Sequence, residues 1–493
     1  MHLSCLRKWG PLLVLAGTWA TERAGAANDP PAPSFSIVNV TVIDGTGAPP
    51  RTQMTVQVAN GRIVSIANAR DAKRHGKVVD GHGRYLLPGF FDNNAHLTVY
   101  GQPSRRDTSA KYGDRNEELA LEVAQRSLKA GVTTLVDSYG VLPPSIVVRD
   151  KINRGELVGS RLLLAGNILG WGGTFSLTFS LTKPSDLSMF EEKWNDLMAQ
   201  DMGEEIMDMT PDELRVAMDH YLDKGVDVIK YGGTSHFMHP SLIGFSPAQQ
   251  AVIVEEAHKR GKPVQTHATS PEGLRLAVEA GIDLIQHPEL HSRDLPDSLI
   301  KEIVETHKFC GMRANFFTGA SWQRHLAHRA EAEAKIAKLP PAATHAEVAR
   351  RLEMLDEQVD IQRRNALKLV AAHCQITPAT DSFLGDAPEF RREPKPDEAE
   401  PGIGTLRAIE GFVELGMTPM EAIVAATKTG AAAAFRSQDL GTIEQGKIAD
   451  LVLLDADPLT DIHNIEKVST VVAQGRIVDL KTLPEHPLFS PKP

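Results

Sequence analysis

The sequence predicts an α/β protein: a (β/α)8 TIM barrel with a small β-sandwich domain formed by both chain ends. Two observations lead there. A long middle stretch repeats a strand-then-helix rhythm, which implies parallel strands. Both ends carry short runs that alternate apolar and polar residues between turns, the pattern of half-buried strands.

At the front, Phe35 to Asp44 and Thr55 to Ile66 alternate in this way, with turns at Asp44-Gly45 and Asn60-Gly61. At the back, Asp450 to Asp455 and Val468 to Val478 do the same around a turn at Gln474-Gly475. Neither end has enough strands to bury a face alone, so the two are expected to build one domain. Its parts would be residues 36–86 and 436–484, with the barrel at 87–435 and a tail at 485–493.

Candidate barrel strands are Tyr85–His96, Val132–Ser138, Arg161–Ala165, Val226–Tyr231, Pro263–His267, Leu284–His287, Cys310–Asn315 and Gln375–Asp381. Amphipathic helices fit between several of them, at Arg115–Ala130, Pro247–Arg260, Pro271–Ala280 and Gln358–Ala371. Eight such units close a barrel. Three stretches interrupt the rhythm. Thr182 to Met209 is acidic and methionine-rich, either an amphipathic lid or a plain surface excursion. Ser321 to Val359 is helical and charged, and Asp386 to Gly404 is a Pro- and Glu-rich loop.

With 493 residues, 42% of them hydrophobic, the chain is long enough for a large barrel and a second domain. A formal net charge of -10 argues against a nucleic-acid partner. Arg7 and Lys8, the apolar run Pro11 to Ala20 and the small residues Ala24 to Ala27 read as a signal peptide over residues 1–27. Residues 28–35 would be a linker. The protein is therefore expected to be periplasmic or secreted, with no stable membrane span after cleavage; an uncleaved anchor is the alternative. Cys310 and Cys374 could bond in an oxidising compartment, but nothing in the sequence fixes their distance.

Five residues stand at the C-terminal ends of candidate strands: His96, Lys230, His267, His287 and Asp381. Catalytic groups of such barrels gather at that end. Three imidazoles and a carboxylate suit a borderline metal such as zinc. One histidine ending a strand means little; five residues of these types on five different strands do not arise easily by chance.

The run Leu87-Pro88-Gly89-Phe90-Phe91-Asp92-Asn93-Asn94-Ala95-His96 resembles the strand-one signature of the amidohydrolase superfamily. Gly441 to Val452 resembles its C-terminal signature, and Pro419 to Ala434 the helix before it. The resemblance runs from about Ser36 to Asp479, toward the branch of imidazolonepropionases, Xaa-Pro dipeptidase-like enzymes and ochratoxin-hydrolysing amidases. It implies a metal-dependent hydrolase acting on amide bonds of a small molecule, with one or two divalent ions, zinc above all. It implies His96, Lys230, His267, His287 and Asp381 as ligands, Lys230 N-carboxylated, and Asp381 as proton shuttle. The family's strand-one motif is His-x-His, whereas this chain has Asn94-Ala95-His96. Asn94 points where an imidazole is missing. One metal on Lys230, His267 and His287, two metals with Asn94 or water filling the gap, and loss of the metal all stay open.

Candidate substrate contacts are Tyr231, His236, His239, Arg313, Asn315 and Phe383, with Arg313 suited to a carboxylate, and Trp171-Gly172-Gly173 after the third strand is a candidate lining of the pocket mouth. Lactone or ester hydrolysis, deamination, and a non-catalytic binding role are the competing functions. A homo-oligomer is left open.

Overall fold

A computed structural model describes residues 34–72, 76–101, 104–236, 242–338, 347, 357–392 and 394–489. The expected signal peptide, residues 28–33 of the linker, His239, much of 339–356 and residues 490–493 lie outside the described residues.

The chain opens with β1 (Phe35–Val42), β2 (Arg51–Ala59), β3 (Arg62–Asn68), β4 (Lys77–Asp80) and β5 (Tyr85–Pro88). Next come β6 (Phe90–Ala95), β7 (Val132–Asp137), β8 (Arg161–Leu164), β9 (Ile168–Leu169), β10 (Ile229–Gly232), β11 (Val264–His267), β12 (Leu284–Gln286), β13 (Phe309–Met312) and β14 (Gln375–Pro378). It closes with β15 (Leu451–Leu454), β16 (Val468–Ala473) and β17 (Arg476–Val478).

Both ends build one sheet, ordered β17-β16-β15-β5-β1-β2-β3, with β4 also on β1. The β2–β3 turn places Asn60 and Gly61 at φ 50° and 75°, and the β16–β17 turn places Gln474 and Gly475 at 51° and 71°. Such paired left-handed residues match the twist of a hairpin. Ile37, Val40, Val56, Leu86, Leu451 and Val472 fill the core between the two ends.

The expected first barrel strand, Tyr85–His96, is two strands. β5 pairs with β1 and β15 in the small sheet, and β6 pairs with β7 in the barrel. Gly89 makes the crossing, because any Cβ there would come within 2.1 Å of the Thr133 hydroxyl. Periodicity alone could not reveal this break, since both halves are apolar.

The barrel strands form two parallel sheets, β6-β7-β8 and β14-β13-β12-β11-β10-β9. They meet at both edges. The third strand bends at Gly166 (φ 75°), so that β8 pairs with β7 and β9 pairs with β10. The Asp227 amide donates to the Leu164 carbonyl at 2.8 Å. At the other edge, the Asp381 amide donates to the Asn94 carbonyl and the His96 amide to the Ser382 carbonyl, each at 2.8 Å. The expected strand Val226–Tyr231 thus pairs with β11 only from Ile229 onward. Helices lie at Asn116–Lys129, Pro247–Lys259, Pro271–Ala280 and Glu357–Ala371, as the amphipathic pattern predicts.

The methionine-rich stretch is docked, not extended into solvent. Its helix Met189–Ala199 starts at a capping box between Ser188 and Glu191. Trp194, Met198, Met202 and Ile206 are buried in the main core. The expected tail is also packed: Phe489 sits against Tyr100 and Tyr112, and the Glu122 carboxylate accepts from the amides of Leu488 and Phe489. Cys310 and Cys374 form a disulfide across β13 and the start of β14, with Cα atoms 6.3 Å apart. No helix among the described residues is long and apolar enough to cross a membrane.

Candidate active site

Parallel strands end their backbone pairing at one rim, and the residues just past each end must turn inward or outward. His96, His287 and Asp381 lie just past strand ends, His267 ends β11 and Lys230 lies within β10, and all five line one cavity of about 490 Å³. Arg313, His236, Trp171, Phe179 and Tyr139 line it too. Two of these residues bend sharply to get there. His287 and Asp381 lie in the left-handed region, at φ 55° and 60°, a conformation that non-glycine residues hold only when their surroundings impose it.

Asp381 is the hub. Its Oδ1 accepts from Asn94 Nδ2 at 3.0 Å and contacts His96 Nε2 at 2.9 Å, while its Oδ2 accepts from Arg313 Nη1 at 3.2 Å. Burial opposes its charge, but His287, His96 and Arg313 outweigh that and hold its carboxyl well below the usual range. Arg313 is held in turn by Glu289, at 3.4 Å, and Gln362, at 3.3 Å.

The donor chemistry suits a divalent cation. His96 Nδ1 faces the Tyr139 carbonyl at 3.1 Å, and a carbonyl only accepts. In a neutral ring Nε2 then carries a lone pair that faces the Asp381 carboxylate, so the pair needs a shared proton or cation between them. His267 Nε2 is buried with no hydrogen-bond partner among the described residues. Burial pushes His267 and His287 well below the usual histidine range, which favours the neutral, ligating form. Burial also pushes the Lys230 ammonium down to about 8, against the pull of Asp381 and Asp137. Lys230 makes no hydrogen bond or ion pair among the described residues. No three histidine, cysteine or acidic side chains alone form a metal cage among the described residues.

Asn94 behaves as a donor. Its amide group faces the Asp381 carboxylate and His287 Nε2, at 3.0 and 3.3 Å. An ionised carboxylate can only accept, so the nitrogen must point toward it.

Two expected substrate contacts point elsewhere. Tyr231 is next to Lys230 on β10 and so faces the opposite side of the strand. It is fully buried, and its hydroxyl donates to Gln250 Oε1 at 2.8 Å. Asn315 is also buried, its Nδ2 donating to the carbonyls of Thr380 (3.2 Å) and Glu398 (2.8 Å). His239 lies outside the described residues.

Of the aromatic wall, the sequence marked Trp171 and Phe383 but neither Phe179 nor Tyr139. Trp171 packs edge-on against His267, with ring centres 4.9 Å apart, and Phe179 stacks on His236 at 4.5 Å. Tyr139 meets Phe179 at 5.6 Å. Tyr139 follows β7 just as the other site residues follow their strands, which was the available signal. Arg105 also lines the cavity, 4.9 Å from the Phe179 ring. It comes from a helix after β6, and nothing in the sequence marks it.

The chain is similar to two solved enzymes over almost its whole length. A molinate hydrolase structure is 28% identical, covering 94% of this chain and 98% of its own, with a TM-score of 0.81. A phenylurea hydrolase B structure is 29% identical, covering 93% and 100%, with a TM-score of 0.82. An imidazolonepropionase of Symbiobacterium thermophilum is 24% identical over 452 residues, 85% of this chain and 88% of the relative. The ochratoxinase of Aspergillus niger is 25% identical over 402 residues, 78% and 73% of the two chains. The amidohydrolase family model matches residues 85–478, the barrel together with the returning strands of the small domain, and the chain belongs to the amidohydrolase family.

Proposed function

We propose that this enzyme is a metal-dependent hydrolase of amide bonds in small molecules. Membership of the family makes it a hydrolase of carbon–nitrogen bonds. The observation that carries the finer reading is the meeting of His96, Lys230, His267, His287 and Asp381 around one cavity.

Lys230, His267 and His287 would hold a divalent metal, zinc by donor chemistry, with Asp381 and His96 beside it. Such an ion would acidify water and polarise a carbonyl. Asn94 supports a one-metal site, because an amide is a weaker zinc ligand than the imidazole expected there, while Lys230, His267 and His287 are all present. The buried, weakly basic Lys230 amine is suited to take up carbon dioxide as a carbamate, releasing a proton.

Asp381 takes the proton of the attacking water and returns it to the leaving nitrogen. Arg313 holds Asp381 by Oδ2, and Oδ1, which faces Asn94 and His96, is the oxygen that would exchange the proton. The wall of Trp171, Phe179 and Tyr139 suits a flat or apolar group next to the scissile bond, and it excludes water. The relatives' names fit that shape: molinate, phenylureas and ochratoxin are each acted on by one of them. Export to an oxidising compartment is part of this reading, supported by the Cys310–Cys374 disulfide.

The test is hydrolysis of a panel of N-acyl amino acids, dipeptides, arylureas and lactones, with release of amine followed directly. Cleavage of an amide or urea member, lost on chelation and restored by zinc, is expected. Cleavage of lactones alone, or activity indifferent to chelation, would overturn it.

A further inference from the structure

The loop from Asp386 to Gly404 follows the strand that carries Asp381, and the chemistry above makes no use of it. Within it Lys395 is buried, its side chain 8% exposed. A buried lysine normally needs an acid at contact distance. Its nearest acid, Glu400, is 3.6 Å away, and Glu400 is engaged more closely by Arg126, at 2.6 Å. The ammonium is instead aimed at Phe383. It donates to the Phe383 carbonyl and stands 5.1 Å from the centre of the Phe383 ring. Its stem lies against Gly385, where an added Cβ would be 3.1 Å from Lys395 Cδ.

Phe383 is two residues past Asp381 and lines the active-site cavity. Gly385 bridges to Tyr100, another lining residue. Lys395 thus passes beneath the turn that joins Asp381 to two walls of the cavity. We infer that Lys395 is a positioning residue, which holds the backbone and ring of Phe383 and so sets one wall of the substrate cavity.

Burial, only partly offset by Glu400 and reinforced by Arg126 and Arg391, pushes the Lys395 ammonium down to about 7.

The inference rests on the proposed function for its kinetic arm alone. Lys395→Met should raise KM on the best substrate of the panel about tenfold and change kcat little. Phe383→Ala should also raise KM, and Lys395→Met should raise KM by less in that background than in the wild type, since the lysine acts in part through the Phe383 ring. Additive effects, or an unchanged KM in Lys395→Met, would overturn the inference. If the wild type hydrolyses nothing in the panel, the functional reading fails on its own. Hydrogen exchange then decides the positioning role. Faster exchange confined to Leu384 and Gly385 in Lys395→Met supports it; unchanged exchange there, or faster exchange spread over the whole barrel, refutes it.

Discussion

Strands β13 and β14 are neighbours with two very different ends. At the lower end Cys310 and Cys374 are joined covalently, and the pairing register Phe309–Gln375 to Met312–Pro378 runs without a shift. At the upper end the same strands lead into Arg313 and Asp381, where backbone geometry is strained and buried polar atoms lack partners. Asp381 is left-handed, and Asn94 Oδ1, His267 Nε2, His287 Nδ1 and Glu289 Oε2 are unpartnered among the described residues. The contrast shows a division of labour. The lower end supplies rigidity, so the upper end can hold lone pairs and charges in an arrangement that a metal and a substrate would complete.

Substitutions at the two ends should separate cleanly. The largest effect is expected at the hub. Asp381→Asn should lower kcat by about 10³-fold or more while Tm stays near the wild-type value. A fall of less than tenfold would remove the carboxylate from its role as proton carrier. The converse is expected below. Replacing both cysteines by serine should cost about 4 kcal/mol of stability, from the chain-entropy term for a 64-residue loop. Specific activity of the folded protein should not change, and a shifted KM would show that the lower end governs the site after all. Tyr231→Phe should cost only about 1 kcal/mol, the worth of its hydrogen bond to Gln250, with KM unchanged. A raised KM there would return Tyr231 to the substrate cavity.

The upper end was also the more legible of the two. His96, Lys230, His267, His287 and Asp381 could be placed because parallel strands bring their C-terminal ends together whatever their loops do. Alternation along a strand would have excluded Tyr231 once Lys230 pointed inward. The break at Gly89 was hidden, since an apolar run looks the same whether one sheet or two receive it. The disulfide was undecidable, because two cysteines 64 residues apart say nothing of their distance until β13 and β14 are known to pair. Arg105 and Lys395 were invisible for a different reason. Arg105 reaches the cavity from a helix, and Lys395 reaches Phe383 from a loop, both well past their strand ends, and only tertiary packing aims them there.

The proposed hydrolysis depends most on a metal held by Lys230, His267 and His287. Elemental analysis of the purified wild type and of Lys230→Met tests that directly. About one equivalent of divalent metal per chain is expected in the wild type, falling to about a tenth or less in the variant. A metal-free wild type that still hydrolyses its substrate, or a variant that keeps its full metal content, would contradict it.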